Sequence, residues 1–222
     1  MLPGWRLVHG SQEAMYRDEV QHLEDWCRVN NLLLNVDKTK EMIIDFRKSQ
    51  TEHAPLSISG RTVERVENIK FLGVQISQDL SWNKNTSYIT KRAQQRLYFL
   101  RKLKQTSLPP SILTTFYRGV VESILTYCIS TWYSSCSMSD KKALQRIIRG
   151  AERVIGVSLP SIEELFQSRC KKRALTIVND LLHPLNKLFE LLPSGKRFRS
   201  IKGRTNRLIN NFIPQAVRML NC

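Results

Sequence analysis

The alternation of apolar and polar positions changes rhythm twice along the chain. From Ser11 to Asn30, Met15, Val20, Leu23, Trp26 and Cys27 recur near helical spacing. That predicts an amphipathic helix which Asn30-Asn31 ends, because Asn tolerates the left-handed conformation. Short runs rich in β-branched and aromatic residues follow. "EMIIDF" (Glu41–Phe46) and "NIKFLGVQIS" (Asn68–Ser77) read as strands, with "LSISGRTVERV" between them as a small hairpin turning at Gly60-Arg61. Beyond Trp82 the period becomes helical again, with Ile89, Ala93, Leu97, Leu100 and Leu103 forming one stripe. Pro109-Pro110 stops that helix and starts another. Its Ile112, Leu113, Phe116, Tyr117, Val120, Val121, Ile124 and Leu125 are too apolar for a half-exposed helix and predict a central place in a bundle. Asp140 suits the N-cap of a third helix (Leu144, Ile147, Ile148, Ala151, Val154) that Gly156 stops. Ser161 and Glu164 form a capping box for a fourth, reaching to about Leu182. "PSGKRFRSIKGRTNR", from Pro193, predicts an extended basic segment.

Two strands and a hairpin do not make an independently stable sheet, for which three or more paired strands are the rule. The αβ portion therefore reads as part of something larger. Composition adds that 41% apolar residues suffice for a core across 222 positions. Charge changes the picture more. The formal net charge is +16, a long-range attraction for polyanions, of which nucleic acid is the commonest. It is unevenly placed: residues 1–54 carry nine acids and seven bases, residues 88–127 seven bases and one acid, and residues 193–222 seven bases and no acid. No basic amphipathic helix backed by an exposed aromatic face argues for a membrane surface. Glu122 interrupts the longest apolar stretch, "GVVESILTYCISTWY", and "MLPGWRLVHG" lacks the apolar core of a signal peptide. Five cysteines, an odd number without a CxxC pair, fit neither a disulfide framework nor a zinc site. They suit a reducing compartment, nucleus or cytoplasm.

"NNLLLNVDKTKEMIIDF" (Asn30–Phe46), followed by "FLGVQISQDLSW", resembles the end of the palm of reverse transcriptases from non-LTR (LINE-type) retrotransposons. The first stretch is similar to their motif D and the second to the motif E hairpin, or primer grip. "AQQRLYFLRKL", "FYRGVVESILTYCISTWY", "LQRIIRGAERVIG" and the closing "LLPSGKRFRSIKGRTNRLINNFIPQAVRMLN" resemble the thumb and carboxyl-terminal region of such enzymes. The resemblance runs from about Tyr16 onward. It implies an α+β chain: a truncated palm remnant of one helix, short antiparallel strands and a hairpin (1–82), an all-α thumb-like bundle (83–158), carboxyl-terminal helices (159–192) and an extended basic tail (193–222).

The same resemblance places Lys38, the lysine of the Asn-x-x-Lys-Thr pattern, near an incoming nucleotide. There an ammonium can stabilise and protonate a departing pyrophosphate oxygen. Lys40 has no such assignment. Asn35 suits the turn, because its side chain can bond nearby backbone. Phe71, Leu72 and Gly73 fall in the primer grip. Gly73 permits close approach of a backbone, while the apolar character of Phe71 and Leu72 alone suits a core. Lys91, Arg92, Arg96, Arg101 and Lys102 would track template–primer phosphates, with Arg92 and Arg96 four apart on one face. Lys196, Arg197, Arg199, Lys202, Arg204 and Arg207 around Phe198 suit phosphate neutralisation with stacking.

The family's metal chemistry needs one Asp in motif A and an adjacent Asp pair in motif C. No Asp-Asp dipeptide occurs, and Glu24-Asp25 falls on a predicted helix. The resemblance thus implies a chain that does not polymerise alone, holds no Mg²⁺ without the missing aspartates, and retains RNA or RNA–DNA duplex as its partner. No membrane partner or small-molecule site is evident. A looser resemblance joins residues from Tyr88 to about Thr126 to the helical leader of the AlkB-homologue tRNA hydroxylase/methyltransferase. A dioxygenase of that kind needs two His and a carboxylate in an HxD pattern, which none of His9, His22, His53 and His183 begins. No glycine-rich methyltransferase turn follows a strand either.

Overall fold

The computed structural model describes residues 13–47 and 53–222. The chain folds as two units, the described parts of Met1–Lys70 with Ser77–Leu80, and Phe71–Ile76 with Ser81–Cys222.

The first unit begins with α1 (Glu13–Val29); the predicted start at Ser11 lies outside the described residues. Asn31 ends the helix at φ 55°, and Leu32 N–H reaches back to the Cys27 carbonyl at 2.8 Å, closing a left-handed C-cap. The inward face runs through Tyr16, Val20 and Cys27, while Met15 and Trp26 are exposed, a one-residue shift from the predicted stripe. Tyr16, Val20 and Leu34 pack on a small core of Val36, Leu56, Ile58 and Val63.

The predicted strand Glu41–Phe46 is corrected to two residues. β1 (Lys40–Glu41) pairs with β4 (Glu64–Arg65), and the pairing is parallel, not antiparallel. The register sets opposite charges face to face: Lys40 Nζ lies 2.5 Å from a Glu64 oxygen and Arg65 Nε 3.0 Å from one of Glu41. After Val66 N–H bonds the Glu41 carbonyl, the strand does not continue into Met42–Phe46, so composition alone does not extend it. Between them β2 (Ser57–Ile58) and β3 (Arg61–Thr62) form the expected hairpin. Its turn centres on Ser59 and Gly60, both at positive φ, one residue earlier than predicted, as a two-residue type I′ loop requires. The run Asn68–Ser77 is a hairpin rather than one strand: β5 (Asn68–Phe71) turns at Leu72-Gly73 into β6 (Val74–Ser77).

The second unit is helical. α2 (Asn83–Gln105) buries Ile89, Ala93, Leu97 and Leu100, as its stripe predicts. α3 (Pro110–Phe116) runs through a π-helical turn, Tyr117–Glu122, into α4 (Ser123–Leu125). The wider turn has a sequence cause. Leu113, Tyr117, Val121 and Leu125 are fully buried at steps of four, and such a row drifts about 40° per step on an ideal α-helix. The π turn takes up the drift and keeps the row on the core. Ile112 is half exposed, so the helix is less enclosed than its composition predicts. α5 (Ile129–Trp132) leads to α6 (Met138–Ile155), whose N-cap is Ser137, accepting from Asp140 N–H at 3.1 Å. Asp140 is therefore the third helical residue, not the cap. Gly156 ends α6 at φ 88°, and α7 (Ile162–Asn179) opens on the predicted capping box of Ser161 and Glu164.

The tail is not extended throughout. An isolated bridge joins Leu191 to Phe198, and α8 (Asn206–Ile209) and α9 (Phe212–Asn221) follow. Ala216 and Val217 of α9 join Ala174 and Ile177 of α7 and Phe189 in a second core cluster. The apolar residues interleaved among the basic ones supply enough burial to dock the segment.

Candidate nucleic-acid interface

Around Lys38 the backbone is shaped by Asn35, whose side chain accepts from Lys38 N–H at 3.1 Å and caps the short 3₁₀ turn Val36–Lys38. Thr39 Oγ1 donates to the Asn35 carbonyl at 2.9 Å. The two lysines then differ. Lys40 is held by Glu64 and by the Asp37 carbonyl, whereas Lys38 is exposed and has no carboxylate in ion-pair reach among the described residues. Asp37 itself pairs with Arg61, and Asp45 with Arg47, whose guanidinium holds the Asp45 carboxyl down at about 2. The described residues contain no group of three or more His, Cys, Asp or Glu able to hold a metal ion. They do not fit the two-metal centre of a polymerase.

The hairpin tip is built from strain and one clasp. Leu72 (φ 45°) and Gly73 (φ 88°) occupy left-handed backbone, unfavourable for a leucine. Tyr127 Oη donates to the Leu72 carbonyl at 2.7 Å, and its ring covers Gly73 so closely that a methyl there would stand 3.1 Å from Cε1. Asn85, almost fully buried at the start of α2, accepts from Gln75 N–H at 3.1 Å. Phe71 and Leu72 are exposed rather than core residues. Sequence reasoning missed Tyr127 and Asn85. Tyr127 falls within the thumb-like stretch but carries no assigned role there, Asn85 lies outside every quoted stretch, and the positive-φ demand of the Leu-Gly pair is the local hint that the tip needs holding.

α2 carries Lys84, Lys91, Arg92, Arg96, Arg101, Lys102 and Lys104 and no acidic residue. Its surface interleaves these cations with rings. Arg92 lies over Tyr88 at 5.5 Å, Arg96 over Phe99 at 5.8 Å and Lys102 over Tyr98 at 5.7 Å. Tyr98 and Phe99 meet edge to face and are both about half exposed. Cation–π contact orders the long side chains while leaving donors and ring faces to solvent. The result is a set of pre-positioned phosphate ligands beside stacking surfaces. Lys91 and Arg101 are exposed on the same helix.

In the tail, Lys196, Arg197, Arg199, Lys202, Arg204 and Arg207 are all exposed, but Arg199 has Glu190 at 3.7 Å. Phe198 does not offer a free ring; it packs edge-on against Phe189 at 6.1 Å. The five cysteines are thiols. No helix among the described residues is long and apolar enough to cross a membrane.

The chain is 22% identical over 157 residues to the "Retrovirus-related Pol polyprotein from type-1 retrotransposable element R1 4" of Nasonia vitripennis, covering 61% of this chain and 40% of that protein. The chain thus spans about two fifths of the length of that curated relative. Residues 82–123, which comprise α2, α3 and the π turn, match the family described as "Alkylated DNA repair protein alkB homolog 8, N-terminal". No solved structure matches. The relative supports a reverse-transcriptase-related fragment. The family match is consistent with the tRNA-modification leader without favouring it.

Proposed function

We propose that the chain is the palm-end and thumb portion of a retrotransposon RNA-directed DNA polymerase, and that its own activity is to hold a template–primer duplex through α2. The observation that carries this reading is a 23-residue helix with seven bases, no acids and two exposed aromatic rings set among the cations. The similarity to a retrotransposon Pol polyprotein supports it. In this reading residues 1–82 are the palm end, 83–158 the thumb, 159–192 the helices that brace it and 193–222 a basic extension. The Leu72-Gly73 turn, clasped by Tyr127, is the primer-grip tip. Lys38, without a carboxylate in ion-pair reach among the described residues where Lys40 is neutralised, is the cation available to an incoming nucleotide once a complete palm supplies the metal site.

The runner-up is the helical leader of an AlkB-homologue tRNA-modifying protein, with which the match over 82–123 is consistent. Competition binding separates the two. The template–primer reading expects an RNA–DNA hybrid to displace tRNA, and expects Arg92→Gln/Arg96→Gln to weaken hybrid binding by at least about tenfold, as loss of two phosphate contacts implies. Preferential capture of tRNA, or hybrid binding indifferent to that variant, refutes it.

A further inference from the structure

Outside α2, a second row of cations lies on α6. Lys142, Arg146, Arg149 and Arg153 follow one another at steps of four, three and four, and all four are exposed. They occupy the side of the helix opposite the buried Leu144, Ile147, Ile148, Ala151 and Ile155. We propose that this row binds a second phosphate backbone, so that α2 and α6 together grip both strands of a nucleic-acid duplex. This rests on the reading of α2 given above and names the form of nucleic acid the surface takes.

The row is electrostatically uncompensated. Among the described residues none of the four has a carboxylate in ion-pair reach, and the two acids of α6 are engaged elsewhere. Asp140 accepts from the Ser137 hydroxyl at 2.7 Å, and Glu152 accepts from Leu159 N–H at 3.0 Å. Like charges three and four apart each cost a few tenths of a kcal/mol, a cost an anionic partner removes. A merely solvated face looks different in this same chain. On α1 the bases are interspersed with acids and paired, Arg17 with Glu13 and Arg28 with Asp25.

Dimensions agree with a duplex. From Lys142 to Arg153 the helix rises about 16 Å, the length of roughly five base pairs. α6 packs directly on α2, and the approach is close at Gly150, where a methyl would stand 3.1 Å from Leu97 Cδ2. Packed helices lie about 8–10 Å apart axis to axis. The backbones flanking a nucleic-acid groove are separated by about 6–12 Å. A single strand has one backbone and can satisfy only one row.

The test uses the full chain and fluorescence anisotropy on a short RNA–DNA hybrid and on single-stranded RNA of the same sequence, across a salt series. Replacing all four cations (Lys142→Gln, Arg146→Gln, Arg149→Gln, Arg153→Gln) keeps helix propensity nearly unchanged. The expected result is at least about tenfold weaker hybrid binding and a salt slope shallower by about 3.5, with single-strand affinity changed less than about threefold. Unchanged hybrid binding, or equal weakening of both ligands, overturns the second row. Arg92→Gln/Arg96→Gln measured alongside separates the two ideas. If it matters and the α6 variant does not, only this inference fails; if it does not matter, the α2 reading fails with it. Should the fourfold variant unfold by circular dichroism, Arg146→Gln/Arg149→Gln is read the same way, with about half the slope change.

Discussion

At the scale of single residues, the chain spends stability where its candidate site is built. Leu72 at φ 45° is strained and three-quarters exposed, and the Tyr127 hydroxyl holds its carbonyl. Tyr127→Phe keeps the ring over Gly73 and removes one hydrogen bond, so the urea midpoint should fall by the equivalent of about 1 kcal/mol. Leu72→Gly should raise it, by relief of the left-handed strain. The core holds an opposite case. Tyr117 is fully buried, its hydroxyl has no hydrogen-bond partner among the described residues, and burial holds the phenol well above the ordinary tyrosine range. Tyr117→Phe should therefore be neutral or stabilising by about 1 kcal/mol, and a loss beyond that size would show that the hydroxyl is satisfied.

Burial also pushes the Cys136 and Cys170 thiols up to about 11. The folded state keeps these protons where the unfolded chain, titrating near 9, has released them, so the unfolded chain binds fewer protons and stability falls. Stability is thus full below about pH 9 and declines toward about pH 11. Denaturation midpoints measured across that window should drop, and Cys136→Ala/Cys170→Ala should flatten the decline. At about pH 8, near the ordinary thiol range, a thiol reagent should label the exposed Cys128 and Cys222 quickly and the buried Cys27 and Cys170 only on unfolding.

At the scale of elements, the helices up to α7 and the small β2–β3 hairpin were legible, whereas the strand lengths elsewhere and the helices of the tail were not. Gly156 and the Ser161–Glu164 box mark helix ends through local chemistry, and both stand where the pattern puts them. Ser161→Ala should cost about 1 kcal/mol in thermal or urea unfolding, by loss of the N-cap bond. Asp140 misled because Ser137, three residues earlier, competes for the same role and wins with its own side chain. "EMIIDF" misled because a strand is a relation between two segments, and its partner ends at Val66. The tail misled because its charge is local while the residues that dock it, Ala216 and Val217 on Ala174 and Ile177, are distant in sequence. Of the candidate site, the cations of α2 were legible as a basic run. Their ordering by Tyr88, Tyr98 and Phe99, and the clasp by Tyr127 and Asn85, depend on three-dimensional neighbours.

At the scale of the whole molecule, the uneven charge divides along the chain in the same way as the fold. Acids and bases balance through the amino-terminal αβ unit, whereas the helical unit concentrates its excess on α2, α6 and the segment after α7. Each phosphate neutralised releases a counterion and adds about −0.9 to the log–log salt slope. The most direct measurement is the salt dependence of affinity of the intact chain for an RNA–DNA hybrid, with single-stranded RNA in parallel. About six or more phosphate contacts predict a slope of about −5 or steeper for the hybrid, with tighter hybrid than single-strand binding at every salt concentration. A shallow slope shared by both ligands would contradict a duplex-holding surface and leave only diffuse polyanion attraction.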